Sequence, residues 1–146
     1  QNRVDCVRLA GEKSKIWWLR HHPKVLNIYN LFKENVKRQE KQNAIIRYIQ
    51  GDMTEIEFND WKQLFTEPPN MMNNEEKETF IDNIKDSVSL ASDAFFPFRD
   101  NIDVASKYNV KNIIQPGGSS ADDTIINTCN KYSIHMIFTN KRLFYH

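Results

Sequence analysis

Ser92-Asp93-Ala94-Phe95-Phe96-Pro97-Phe98-Arg99-Asp100-Asn101 is the stretch that decides the fold. Three phenylalanines, a proline, two carboxylates and an arginine sit within ten residues. The apolar run Val88-Ser89-Leu90 leads in, and a helical pattern follows from Ile102. This predicts a strand reaching Phe96, a stop at Pro97, and a helix capped near Asp100 or Asn101. Strand ends that meet helix starts are where open α/β sheets place their ligands. An aromatic face for a flat ring, beside a carboxylate for its N–H donors, suits a heterocycle pocket. The same residues also allow a plainer arrangement, with the phenylalanines as core, Asp100 as a cap only and Arg99 as a surface charge.

Downstream, strand and helix patterns alternate. The helix runs to about Tyr108 and a strand follows over 110–114. Then come the turn Gln115-Pro116-Gly117-Gly118, a helix over about 121–131, a strand over 134–138 and a tail. Such alternation implies an α/β sheet covered by helices. Upstream the rhythm differs. Residues 3–10 alternate as a strand would, with no preceding cap, which suits equally a lone N-terminal strand or a chain that begins inside a larger domain. Gly11 punctuates, a helix is expected over 12–22, and Pro23 ends it, while 24–33 is ambiguous. A clearer helix covers 36–50, with Gly51 as its C′ stop. Another spans 54–65, and Asn73 with Glu76 opens a fourth in the manner of a capping box. The expected organisation is therefore a first strand plus helical subregion over 1–87 and an alternating region over 88–146.

The 146 residues and 17.3 kDa suit one domain with a sizeable core. A net charge of +1 with scattered cations makes neither nucleic acid nor an anionic membrane an expected partner. No apolar run approaches the roughly 20 residues that span a bilayer. Cys6 and Cys129 do not make a disulfide framework, and a reduced, cytoplasmic setting is expected.

Pro116-Gly117-Gly118-Ser119-Ser120 lies between a strand and a helix, where free N–H groups and two hydroxyls suit a carboxylate or phosphate. It is neither a P-loop nor a dinucleotide fingerprint, and a plain tight turn with a serine cap is the simpler assignment. In the tail, Arg142, Phe144 and His146 alternate and so share one face of an extended segment, which is too apolar to float in water. The adjacent His21 and His22 lack a third metal ligand and read as a helix-end polar pair. Zinc-deaminase chemistry needs a Cys-x-x-Cys pair and a His-x-Glu, and neither occurs.

Four segments carry a resemblance. Trp17-Trp18-Leu19-Arg20-His21-His22-Pro23, the Ser92–Asn101 stretch, Gln115-Pro116-Gly117-Gly118-Ser119 and Thr139-Asn140-x-Arg142-x-Phe144-x-His146 together resemble AICAR transformylase, most tightly from Ser92 onward. This is the formyltransferase half of a bifunctional purine-biosynthesis protein that also carries IMP cyclohydrolase. The first segment looks like the eukaryotic type.

The resemblance implies formyl transfer from 10-formyltetrahydrofolate to AICAR. It also implies a cytidine-deaminase-like three-layer sheet with helices on both faces, and a homodimer with sites at the subunit interface. By position, Arg3, Phe95 and Arg142 match residues that contact AICAR. Val4, Asp100, Ser119 and Ser120 match the folate site. Asn43, Pro97, Asn101, Phe144 and His146 are weaker matches near the same pocket. Asp93 and the tail backbone are similar to a monovalent-cation site, with potassium as the expected ion. The family's Lys-His-x-Asn-Pro motif is absent, so no catalytic residue is assigned in this chain and it is expected to be inactive alone. Lys141, Tyr145 and Ser120 stand where related sequences differ. A noncatalytic binding or interaction domain that keeps the fold is the alternative.

Overall fold

The structure, a computed structural model, describes residues 2–84 and 88–143. Its elements in chain order are α1 (Arg3–Leu19), α2 (Pro23–Ile28), α3 (Arg38–Gln50), α4 (Glu55–Lys62), α5 (Asn74–Asp82), β1 (Val88–Ala91), α6 (Asp100–Ser106), β2 (Val110–Gln115), α7 (Asp122–Lys131) and β3 (His135–Phe138). They sort into two units. One joins Gln1–Ser14 to Lys85–His146, and the other is Lys15–Ile84.

The first unit is built on a parallel sheet in the order β1-β2-β3. Parallel neighbours need a crossover, which α6 and α7 supply. The register aligns Leu90 with Ile113 and Met136, and Ala91 with Ile114 and Ile137. Side chains alternate along a strand, so each aligned set shares a face. Ile113 is fully buried and joins Ile102, Ala105, Ile125 and Cys129 in the core. The opposite set is open, with Ile114 40% and Ile137 59% exposed. The α/β sheet expected from the sequence is present, but helices on both of its faces are not found among the described residues. With sequential strand order, two right-handed crossovers pass over the same face, so α6 and α7 cover one side.

Residues 3–10 are not a strand. Val4 and Val7 are buried while Cys6 and Leu9 are exposed, an i, i+3 spacing that belongs to a helix. The start is capped after all, since Asn2 Oδ1 accepts the Val4 N–H at 3.0 Å. Gly11 does not punctuate either. The Tyr108 ring packs so closely on it that a Cβ there would lie 2.3 Å from Tyr108 Cδ2. Helix propensity is sacrificed for that close approach.

The Tyr108 hydroxyl donates to Glu12 Oε1 at 2.7 Å. Burial first, then this hydrogen bond and the nearby Glu12 charge, push the phenol up to about 12. The folded state therefore holds the phenolic proton more tightly than the unfolded chain does. The resulting stability is complete below the ordinary tyrosine value near 10 and is lost as pH rises toward about 12. Urea unfolding is expected to show the parent weakening more steeply than Tyr108→Phe over that window. Parallel curves would remove Tyr108 as the cause.

In the helical unit the local signals act largely as expected. Gly51 ends α3 in the left-handed region at φ 72°. Thr54 and Glu57 form a reciprocal capping box on α4, and Asn73 Oδ1 accepts the Glu76 N–H at the start of α5. Hydrogen bonding to the Thr54 backbone and hydroxyl holds the Glu57 carboxyl below its usual range. Pro23 opens α2 instead of ending α1, because His22 Nδ1 caps the new helix by accepting the Lys24 N–H at 3.1 Å. His21 Nδ1 meets Trp17 O at 3.1 Å, so the histidines do serve adjoining helix ends. Val25, Ile28, Ile45, Tyr48, Trp61 and Phe65 pack this unit's core. Among the described residues no helix is long and apolar enough to cross a membrane.

Candidate functional site

All three strands run the same way, so their C-terminal ends gather at one edge of the sheet. The chain leaves β1 through 92–99, β2 through 116–121 and β3 through the tail. The first two are held by side chains that satisfy their backbone, and the tail is docked by main-chain hydrogen bonds.

The loop after β1 begins five residues earlier than the sequence suggests, since the strand ends at Ala91 and not at Phe96. Ser92 Oγ donates to Ala94 O at 2.7 Å, curling the chain out of the ladder. Phe96 N–H then donates to the buried Gln115 Oε1 at 3.1 Å. Ala94 and Phe96 are buried, and Phe95 between them is half-buried. Phe98 is 62% exposed, so the phenylalanines are only partly core. The residue at the helix N-cap is Arg99, not Asp100 or Asn101. Asp100 is the exposed first residue of α6, whereas Asn101 is fully buried and its Nδ2 donates to Phe98 O at 2.8 Å. Pro97 is half-buried. Arg99 is more than a surface charge. Its guanidinium grips Asp103 through two bonds of 2.9 and 3.0 Å, which with the Tyr132 hydroxyl holds that carboxyl below its usual range.

Arg3 reaches this edge from α1. Its Nη1 lies 3.4 Å from Asp93 Oδ1, an ion pair between residues ninety positions apart. The Leu143 N–H donates to Asp93 O at 3.0 Å, bringing the tail to the same place. The tail also follows β2, through Thr139 N–H to Gln115 O at 2.9 Å and Asn140 N–H to Pro116 O at 3.1 Å. Its backbone is thus docked, although Arg142 is exposed and Leu143 is 70% exposed. Phe144 and His146, like Tyr145, lie outside the described residues. A cleft of about 340 Å³ opens between α1 and the end of β1, lined by Arg3, Cys6, Ala10, Ala91, Asp93 and Phe96 among others. That is within the range of small-molecule sites. Phe96 lines it and Phe95 does not, while Val4 is buried at 8% exposure.

The turn after β2 departs from expectation in an informative way. Asp122, not Ser119 or Ser120, occupies the free amides: its carboxylate accepts Gly118 N–H at 2.7 Å and Ser119 N–H at 3.2 Å. An anion would have to displace that carboxylate. Ser119 Oγ accepts the Ala121 N–H at 3.1 Å, and Ser120 is exposed. Gly117 has φ 74°, and a Cβ on it would come within 2.9 Å of Phe138 Cδ1. Only glycine fits this turn without strain.

Asn43 sits in the helical unit, exposed on α3, and accepts from Gln39 Nε2 at 3.4 Å. It borders a separate cleft of about 230 Å³ with Arg47, Asp60 and Trp61. Among the described residues no group of three or more His, Cys, Asp or Glu is arranged to hold a metal ion. At Asp93 the carbonyl and one carboxylate oxygen are already engaged, so a monovalent cation would rely on the second oxygen and on neighbouring carbonyls. Reading the sequence overlooked Gln115, because a glutamine beside Pro-Gly-Gly looks like part of an exposed turn.

No family model matches the chain. Part of it is nevertheless closely similar to curated proteins that share one name. It is 54% identical over 69 residues to the bifunctional purine biosynthesis protein PurH of Brachyspira hyodysenteriae, covering 47% of this chain and 14% of that protein. With PurH of Wigglesworthia glossinidia brevipalpis the identity is 60% over 63 residues, 43% of this chain and 12% of that protein. With that of Dictyostelium discoideum it is 55% over 65 residues, 44% and 12%. The matched stretches thus bear out the resemblance to this bifunctional protein. They span only about an eighth of each relative's length, and identities so even across these organisms do not single out a eukaryotic type.

Proposed function

We propose that this chain is part of a bifunctional purine-biosynthesis enzyme and supplies AICAR- and folate-binding residues for formyl transfer from 10-formyltetrahydrofolate. The observation that carries the reading is a meeting of three distant segments. Arg3, Asp93 and Leu143 join at the C-terminal edge of the sheet, within a chain up to 60% identical to PurH over the matched part. Ligands of open α/β sheets favour that edge.

In this reading Arg3 and Arg142 hold the ribotide by charge-assisted hydrogen bonds, and the Phe95 loop shapes the wall against its flat ring. Asp100 accepts from pterin-type N–H groups, with the Ser119 and Ser120 hydroxyls beside the folate. Val4, in the first turn of α1, belongs with them to the folate side of the site. The ribotide amine attacks the formyl carbon, a new C–N bond forms and the bond to the folate nitrogen breaks. The proton lost by the amine is matched by one gained by the departing folate nitrogen. This chain's part is to bring amine and formyl carbon together, which accounts for much of such a barrier. The proton acceptor belongs to the Lys-His motif, which lies outside this sequence. A homodimer, a cytoplasmic setting and a potassium ion near Asp93 are parts of the same proposal.

The test is a formyl-transfer assay on the complete polypeptide that contains this sequence, with Arg142→Ala and Asp100→Ala alongside. Turnover is expected in the parent, with losses of roughly tenfold or more in kcat/KM for AICAR and for folate respectively. Turnover unaffected by either change would remove those residues from the site. A folded, complete parent without turnover would leave the noncatalytic domain in its place.

A further inference from the structure

Gln115 is an unusual residue for the end of a buried strand. It is fully buried, and burying an amide is costly unless both ends are bonded. Here both ends are: Oε1 accepts Phe96 N–H at 3.1 Å, and Nε2 points to Met136 Sδ at 3.2 Å. Its main-chain oxygen accepts Thr139 N–H at 2.9 Å, where the tail begins. The circuit closes away from Gln115, because Leu143 N–H bonds to Asp93 O at 3.0 Å. One residue therefore ties the loop carrying Phe95 by its side chain and the tail carrying Arg142 by its backbone. These are two of the three positions expected to contact AICAR.

We propose that Gln115 is a positioning residue for ribotide binding, its buried amide holding Phe95 and the cleft wall at Phe96 in place. This rests on the formyl-transfer reading and deepens it. A tether of this kind acts on uniform binding, so its loss raises KM for the ribotide and leaves kcat nearly unchanged. A merely structural glutamine would lower stability without separating the two substrates.

The test uses the complete protein with Gln115→Met and Gln115→Glu. Methionine keeps the volume and removes the acceptor, so KM for AICAR is expected to rise roughly three- to tenfold, the worth of one hydrogen bond. KM for the folate should change less than about twofold, and exchange of the Phe96 amide hydrogen should accelerate by a similar factor to the AICAR effect. Glutamate keeps the acceptor but buries an acid. It is expected to melt earlier than methionine while restoring both the AICAR KM and the slow Phe96 exchange. An unchanged AICAR KM in Gln115→Met, or equal KM values in the two variants, would overturn the proposal. A folded parent with no formyl transfer would remove the function itself. The Phe96 exchange rates would still show whether the tether exists.

Discussion

Arg3→Ala in the complete protein is expected to lower kcat/KM for AICAR by roughly 10²- to 10³-fold, about 3–4 kcal/mol of lost transition-state binding. The size follows from where the guanidinium sits. Its side chain is 28% exposed, anchored on the first turn of a helix, and aimed at Asp93 on the opposite wall of the cleft. A charge held by the fold costs little to reorganise when an anionic ligand enters. The ion pair itself adds little stability, because Asp93 is 55% exposed and water screens it. The loss should therefore fall on the ribotide, with the melting temperature nearly unmoved. Arg3→Lys keeps the charge but not the planar fork, and a loss of roughly tenfold is expected. Steady-state kinetics with each substrate varied will decide. An alanine variant within twofold of the parent would place the ribotide elsewhere.

The largest effect on stability is expected in the helical unit. Trp61→Ala should destabilise it by about 4 kcal/mol, the cost of emptying a large aromatic site in a packed core. Trp61 is 2% exposed and lies 4.6 Å, centroid to centroid, from Phe65. It stacks on Tyr48 at 6.0 Å, and its Nε1 donates to Ala44 O at 3.0 Å. The tryptophan thus joins α3 to α4 both through its face and through its edge. Trp61→Phe keeps much of the area and loses the N–H, so about 1–2 kcal/mol is expected. Urea denaturation followed by far-ultraviolet circular dichroism gives both numbers. An alanine variant within 1 kcal/mol of the parent would show that the site collapses and that Trp61 is not the organising side chain.

Features legible in the sequence are those whose cause is local. Gly51 ends α3 because its left-handed φ is open to glycine, whatever surrounds it. Thr54 with Glu57 and Asn73 before Glu76 start helices through bonds spanning three residues. The alternation from Val88 to Phe138 yields a parallel sheet because strands of one direction require helical crossovers. The resemblance to a known family names Arg3 and Asp93 as candidates from distant segments, and the fold brings their side chains within 3.4 Å of each other.

Tertiary structure decided the rest. Residues 3–10 alternate well enough for a strand, yet Val4 and Val7 become the buried pair and the segment is helical. Gly11 persists in that helix because of a ring ninety-seven residues away. The amides offered by Gly118 and Ser119 are filled by Asp122, and Gln115 is drawn inward by the Phe96 N–H and Met136. In each case a backbone or side-chain group needed a partner that only the folded chain brings near. Local sequence states what a segment can adopt; burial and hydrogen-bond satisfaction choose among those options, and they depend on residues distant in the chain.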